Sequence, residues 1–269
     1  MEQEIFVRFR DLIRRESGIS LNDSKKQLLQ NRIGKRMREL RLHNPSEYLL
    51  YVERGQDPNE LVHLIDAIST NLTFFFRERP HFDFLEGLFR QWRQERKREV
   101  KLWCAAASSG EEPYSLAISA AEHLRSEHTA FRCLSSDICT TVLQRAMRGI
   151  YLPEQLKDVA PELIERYFTP VRWEGDVGYK VKPILQQSLL FKRLNLAQFP
   201  YPLQGSFDVI FCRNVMIYFE PDLRKKVVDT FHGLLRPGGH LFVGHSESLS
   251  GFTHPFQRVD TAVYRRAQP

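Results

Sequence analysis

Apolar residues recur at helical spacing through the first quarter of the chain. Phe6, Phe9, Leu12 and Ile13 share one face, Leu29, Ile33, Met37 and Leu40 a second, and Leu61, Leu64, Ile65 and Ile68 a third. No alternating strand pattern intrudes. A small all-α domain is therefore expected over residues 1–69, and residues 70–80 read as a linker into a different architecture.

From Val100 onward, short apolar runs alternate with amphipathic stretches. Strands are expected at 100–105, 131–135, 188–194, 207–212 and 240–243, with a last short pair near 256–259 and 261–264. Helices are expected at 111–125, 140–148 and 222–235. Leu235-Arg-Pro-Gly-Gly239 reads as a helix stop followed by a turn. Strand alternating with helix predicts an α/β domain over 81–269, with a mostly parallel sheet covered on both faces.

One connection is too long. Such loops usually take about 2–6 residues, yet the chain runs from Gly149 to Ser188 before the next main strand. A short helix at 161–166 and two strands at 167–171 and 178–181, joined through Glu174-Gly175-Asp176, predict an inserted antiparallel β-subdomain at about 167–187.

Composition narrows the class. Hydrophobic residues are 42% of the 269, enough for a packed core. No apolar run approaches the ~20 residues of a membrane helix, and the charged N-terminus lacks a signal-peptide pattern. A soluble, cytoplasmic protein is expected. The four cysteines form no C-x-x-C pair and read as buried thiols rather than metal ligands or nucleophiles. The net charge of +6 points to an acidic partner. Without an aromatic-basic interleave or RNA-binding signature, that partner reads as protein rather than nucleic acid.

In such a sheet the ligand binds beyond the carboxyl ends of the strands, where strand order reverses. The first strand end runs through Ala106 to Ser109, Gly110, Glu111 and Glu112. A phosphate cradle would want more glycine and no carboxylate. This end suits hydroxyls, an ammonium or a sulfonium, which disfavours NAD and ATP. The competing reading of Glu112 is a capping box with Ser109, weakened by Pro113 in the first turn. Asp137 ends the second strand, where a carboxylate accepts both ribose hydroxyls; its competing reading is an N-cap for the helix at Thr140.

Four segments together carry a resemblance. Thr70-Asn-Leu-Thr-Phe-Phe-Phe-Arg-Glu78, Ala106-Ala-Ser-Ser-Gly-Glu-Glu-Pro-Tyr-Ser115, Phe211-Cys-Arg-Asn-Val-Met-Ile-Tyr-Phe219 and Gly244-His-Ser-Glu247 resemble the chemotaxis receptor glutamate methyltransferases, the CheR family. The resemblance spans nearly the whole chain. It implies a class I (Rossmann-like) methyltransferase fold that binds S-adenosylmethionine and releases S-adenosylhomocysteine, with no metal. It implies that Asn71, Thr73 and Arg77 face the cofactor, that Ala106 and Glu112 lie beside its methionine portion, and that Asp137 holds the ribose. Asn195 and Leu196 should flank the adenine, Arg213 and Asn214 should close the pocket floor, and Arg77 and Tyr218 should sit nearest the transferable methyl. Ser109 and Cys139 depart from the family, where threonine and an acidic residue are common.

The chemistry suits these residues. A glutamate substrate is already a carboxylate near neutral pH, its pKa being about 4.3. No general base is needed, and no Ser-His-Asp or Cys-His arrangement is found. His245 reads as a structural residue.

The implied partner is the cytoplasmic helical domain of a transmembrane chemoreceptor, engaged by a monomer without membrane insertion. On the helix expected at 24–42, Arg32, Lys35, Arg36 and Arg38 are candidates to read it. In some family members the inserted β-subdomain binds the receptor's C-terminal tail; here a flap over the cofactor is the alternative. Two other functions stay open: an RNA methyltransferase and a non-catalytic cofactor-binding module.

Overall fold

The computed structural model describes residues 1–124, 128–203 and 205–268. Four helices come first: α1 (Gln3–Ser17), α2 (Lys26–Glu39), α3 (Pro45–Glu53) and α4 (Glu60–Ile68). The three apolar stripes turn inward together. Phe6, Phe9, Ile13, Leu29, Ile33 and Leu64 are buried with Tyr48 and Leu49, while Met37, Leu40 and Leu61 pack at the margin. This core holds one charged device. Glu60 is fully buried, takes a hydrogen bond from the Tyr48 hydroxyl at 2.7 Å, and is gripped by the Arg36 guanidinium at 3.0 and 2.5 Å.

Helix α5 (Arg79–Gln94) leads into the sheet domain. The elements follow as β1 (Glu99–Cys104), α6 (Glu111–His123), β2 (Ala130–Asp137) and α7 (Thr140–Arg148), then β3 (Ile150–Tyr151), α8 (Pro161–Tyr167), β4 (Phe168–Trp173), β5 (Asp176–Val181) and α9 (Pro183–Gln186). The chain ends through β6 (Leu189–Arg193), β7 (Phe207–Cys212), α10 (Pro221–Leu234), β8 (Leu235–Val243), β9 (Phe256–Asp260) and β10 (Val263–Arg266). The far end of the helix expected at 111–125 falls on residue 125, outside the described residues.

The main sheet has the order β6-β2-β1-β7-β8-β10-β9. Strands β6, β2, β1, β7 and β8 are parallel, and β10 and β9 close one edge antiparallel. Strand order reverses between β1 and β7. Alternate side chains feed two cores. Leu102, Cys104, Val209, Phe211 and Phe242 pack under α5 and α6, whereas Trp103, Ile210, Cys212, Leu241 and Val243 pack against Val227, Val228 and Phe231 of α10. All four cysteines are free and buried.

Two expectations are corrected. The helix stop is found, α10 ending at Leu234, but Leu235–Gly239 lies inside the span of β8 rather than ahead of it, with Gly238 at φ +75°. Leu235 pairs with Phe207 and His240 with Val209, so a β8 irregularity absorbs the proline and glycines. The insert is more than a hairpin. Ile150 and Tyr151 add a third strand, in the order β3-β5-β4, and Tyr167 ends α8 rather than starting a strand. The β4–β5 turn is Glu174-Gly175, both at positive φ (51° and 93°), the pairing a two-residue turn of right-twisted strands requires.

Candidate active site

The linker is fixed by what it buries. Phe75 is fully buried and meets Tyr151 and Phe168 edge-on, while Phe76 packs on Phe82 and donates its N–H to Ser115 Oγ at 2.9 Å. Phe76 and Glu78 both adopt left-handed φ, +53° and +57°, at a cost of about 1 kcal/mol or more each. That pair of kinks turns Arg77 out of the core and over the sheet. Its Nη1 donates to the Leu72 carbonyl at 3.0 Å, and its guanidinium lies 5.6 Å from the Phe74 ring.

A cleft of about 820 Å³, open mouth included, lies where the strand order reverses. Asn71, Thr73, Arg77, Ala106, Glu112, Asp137, Asn195, Leu196, Arg213, Asn214 and Tyr218 all line it. Ser17 and Ile19, at the end of α1, also line it. Sequence reasoning missed them, because nothing local marks α1 as reaching the sheet. The contact is tight: Asn195 Nδ2 donates to the Glu16 carbonyl at 2.6 Å, and Ser20 N–H donates to the Tyr218 carbonyl at 2.8 Å.

Asp137 accepts one backbone N–H on each oxygen, from Cys139 at 2.9 Å and from Ser108 at 2.8 Å. A carboxylate offers about four acceptor sites, so Asp137 keeps acceptor capacity beside the cleft. Burial raises its pKa, and these hydrogen bonds oppose the rise. Capping of α7 falls to Asp66 of α4, which accepts the N–H groups of Thr140 and Thr141 at 3.0 Å. The N-cap reading of Asp137 therefore lacks its hydrogen bonds. The capping box at Ser109 does not form either. Gly110 is the N-cap, Ser109 Oγ donates to Glu111 at 2.6 Å, and Glu112 turns inward. Gly110 cannot be replaced cheaply: at φ +102° a Cβ would stand 2.6 Å from the Tyr151 hydroxyl.

The floor is a charge cluster around Arg213, whose side chain is 1% exposed. Arg213 reaches Glu112 Oε2 at 2.6 Å, Glu78 Oε2 at 3.1 Å and the Arg77 carbonyl at 2.5 Å. Burial alone would raise the Glu78 pKa, but Arg213 holds it below the usual carboxylate range. Two carboxylates around one guanidinium leave a net negative charge under the cleft, a setting for a cationic ligand. Glu247, also buried, ties the neighbouring loops together. It accepts N–H groups from Asn214 at 2.6 Å, Gly244 at 2.7 Å and Ile217 at 3.2 Å, holding the Asn214–Tyr218 turn against the end of β8. No sequence signal separated Glu247 from the rest of its motif. His245 contributes its backbone N–H to Glu78 at 3.2 Å.

The four candidate substrate-reading residues of α2, Arg32, Lys35, Arg36 and Arg38, lie outside the cleft and divide into two pairs. Arg36 is committed to Glu60 and Glu39, and Arg32 donates to the carbonyls of Ala67 at 2.9 Å and Ser69 at 3.3 Å. Lys35 and Arg38 are exposed and form no ion pair among the described residues. Among the described residues no helix is long and apolar enough to cross a membrane.

Comparison with known proteins agrees with this architecture. The family model described as "CheR methyltransferase, SAM binding domain" matches residues 71–265, and "CheR methyltransferase, all-alpha domain" matches residues 4–69. The chain is 40% identical to chemotaxis protein methyltransferase 2 of Pseudomonas aeruginosa, covering 98% of this chain and 94% of that protein. It is 39% identical to the chemotaxis protein methyltransferase of Escherichia coli, over 96% and 89% respectively, and 35% identical to that of Borreliella burgdorferi, over 93% and 89%. The helical domain, the reversed-order sheet and the cleft between them thus belong to one lineage: this chain is a member of the CheR family of S-adenosylmethionine-binding chemotaxis methyltransferases.

Proposed function

We propose that the cleft transfers a methyl group from S-adenosylmethionine to glutamate carboxylates on the cytoplasmic helices of a chemoreceptor, and that this sets the receptor's adaptation state. The observation that carries the reading is the placement of Arg77 and Tyr218 on one cleft with Asp137 and the Glu112–Arg213 pair.

The donor set fits the cofactor. Asp137 keeps acceptor capacity for two ribose hydroxyls, and the small side chains of Ala105 and Ala106 leave the β1 end open to close approach. Glu112 and Glu78, only half neutralised by Arg213, favour an ammonium and a sulfonium. When bound, the cofactor supplies an electrophilic methyl on a positively charged sulfur.

The chain's own residues do the rest. Arg77 offers a fork of donors to an incoming carboxylate. Its tether to the Leu72 carbonyl and the Phe74 ring sets where that fork points. Tyr218 presents a hydroxyl donor and a ring face to positive charge. Holding nucleophile and methyl in line can supply roughly 7–11 kcal/mol without a general base. On α2, Lys35 and Arg38 are the exposed cations available to an acidic receptor helix. The three-stranded insert leaves an edge of β4 unpaired, to which a receptor tail can add as a strand.

The test is direct. The protein is incubated with methyl-labelled cofactor and receptor-bearing membranes. Base-labile label on a receptor-sized band is the expected result. Label on RNA, or none with cofactor bound, would favour an RNA methyltransferase or a non-catalytic module instead.

A further inference from the structure

The linker alternates like a strand without pairing as one. Asn71 and Thr73 are half-buried and turn into the cleft. Leu72 is 75% exposed and Phe74 38% exposed, and both precede the buried Phe75 and Phe76. Among the described residues Leu72 is the most exposed large hydrophobic side chain. An apolar pair exposed beside the arginine of a cleft is open to contact with whatever brings it a carboxylate.

Both residues also hold Arg77. The Leu72 carbonyl accepts from its Nη1 at 3.0 Å, and the Phe74 ring lies 5.6 Å from its guanidinium. Whatever carboxylate Arg77 receives must therefore arrive with its neighbours against Leu72 and Phe74. The basic element is continuous with this edge. Arg32 of α2 reaches the Ala67 and Ser69 carbonyls at the root of the linker, and Lys35 and Arg38 lie one and two turns further along the same helix. Apolar pair and acceptor arginine share the cleft edge, and α2 carries the free cations away from it beyond Arg32.

We infer that Leu72 and Phe74 form a specificity edge that reads the acceptor helix, taking the uncharged side chains that flank the methylated glutamate while Lys35 and Arg38 take its outlying acidic ones. The inference rests on the proposed receptor substrate. On a helix, the residues that share a face with the acceptor glutamate lie three or four positions away. A charge at those positions would be desolvated against Leu72 and Phe74 with no partner.

The experiment is a four-way cycle with receptor fragments as substrate. Wild type and Leu72→Ser are each assayed on a fragment carrying Ala, and on one carrying Asp, three residues from the acceptor glutamate. Calorimetry with S-adenosylhomocysteine accompanies each protein to report an intact cleft. Wild type is expected to favour the Ala fragment by about tenfold in kcat/KM, the change arising in KM, and Leu72→Ser to reduce that preference to about twofold. Phe74→Leu, which keeps an apolar side chain there, should retain most of it. Equal preference in wild type and Leu72→Ser, with product affinity unchanged, overturns the inference while the proposed function stands. Failure of wild type to methylate either fragment or intact receptor overturns both.

Discussion

Arg213 Nη1 lies 2.6 Å from Glu112 Oε2 across 101 residues of chain, joining the end of β7 to the start of α6 at the base of the cleft. The same guanidinium reaches Glu78 of the linker, so a single buried cation locks three segments around the cleft. Removing one partner of a buried pair costs about 3–5 kcal/mol, because the other charge stays buried. Arg213→Met should therefore lower the unfolding free energy by about that amount and release the linker. Urea denaturation read against wild type measures it. A loss under 1 kcal/mol would show that the carboxylates are already satisfied by water.

The cleft separates binding from turnover. Asp137→Ala removes a carboxylate whose proposed role is to hold the ribose. Loss of a charge-assisted hydrogen bond should weaken both S-adenosylmethionine and S-adenosylhomocysteine by about 1.5–3 kcal/mol in calorimetry. Arg77→Ala and Tyr218→Phe should instead depress kcat more than cofactor affinity, since their proposed roles concern the transferring methyl. Full turnover in both variants would remove them from the chemistry.

The basic helix holds two kinds of cation, Arg32 and Arg36 tied into the fold, and Lys35 and Arg38 exposed without an ion pair among the described residues. Arg36→Ala would strand the buried Glu60 carboxylate and should destabilise the helical domain by about 3 kcal/mol or more. Lys35→Glu with Arg38→Glu touches only exposed positions and should leave stability nearly unchanged. It should slow receptor methylation and flatten its salt dependence, with cofactor affinity intact. Thermal melts and methylation rates over a salt series separate the two outcomes, and a wild-type salt profile in the double variant would discard the docking face.

Two buried histidines contribute to the acid response. Burial, with Arg213 beside His81 and Arg265 beside His240, pushes both down to about 4. The unfolded chain takes these protons near 6.5 and the folded chain does not. Stability is therefore lost as pH falls from 6.5 toward 4, by up to roughly 3 kcal/mol per histidine, and levels off below that. Glu111 and Glu247 act in the opposite direction, since burial raises their pKa values and acid then favours the folded state. His240→Phe should remove one histidine's share. Chemical denaturation at pH 7 and 4.5 should show a smaller stability difference in the variant, and an unchanged difference would assign the acid response elsewhere.

What was legible in the sequence was local. The ends of β1, β2 and β7 follow from apolar runs stopping at polar residues, and they delivered Glu112, Asp137 and Arg213 to one cleft. What was not legible joins distant segments. Asp66 of α4 caps α7, Glu16 of α1 holds Asn195, and Glu247 gathers the N–H groups of Asn214 and Ile217. None of these leaves a periodic trace. Strand β3 has two residues, too few for any alternation, and the turn signal of Pro237-Gly238-Gly239 falls inside the span of β8, where it becomes an unpaired irregularity against β7.

The insert offers the last discrimination, because its two proposed roles predict different substrates. Strand β5 is paired on both sides, by β3 and β4, so β4 presents a free edge; Pro170 within it is tolerated because an edge strand need not donate every N–H. A receptor tail adding along that edge would raise the local concentration of acceptor helices without changing the chemistry. A flap would act on the cofactor instead, and the buried contacts of Phe75 with Tyr151 and Phe168 give it a path, since these residues join the linker to the insert. Replacing residues 172–178 by Asn-Gly shortens the hairpin and leaves Phe168, Tyr151 and Val181 in place. Methylation is then compared on receptors with and without their C-terminal residues. Tethering predicts that the shortened enzyme is slower, by at least about tenfold at low receptor concentration, only on the full-length receptor. Equal slowing on both receptors would assign the insert to the cofactor side, and equal rates on both would leave the β4 edge without a part in methylation.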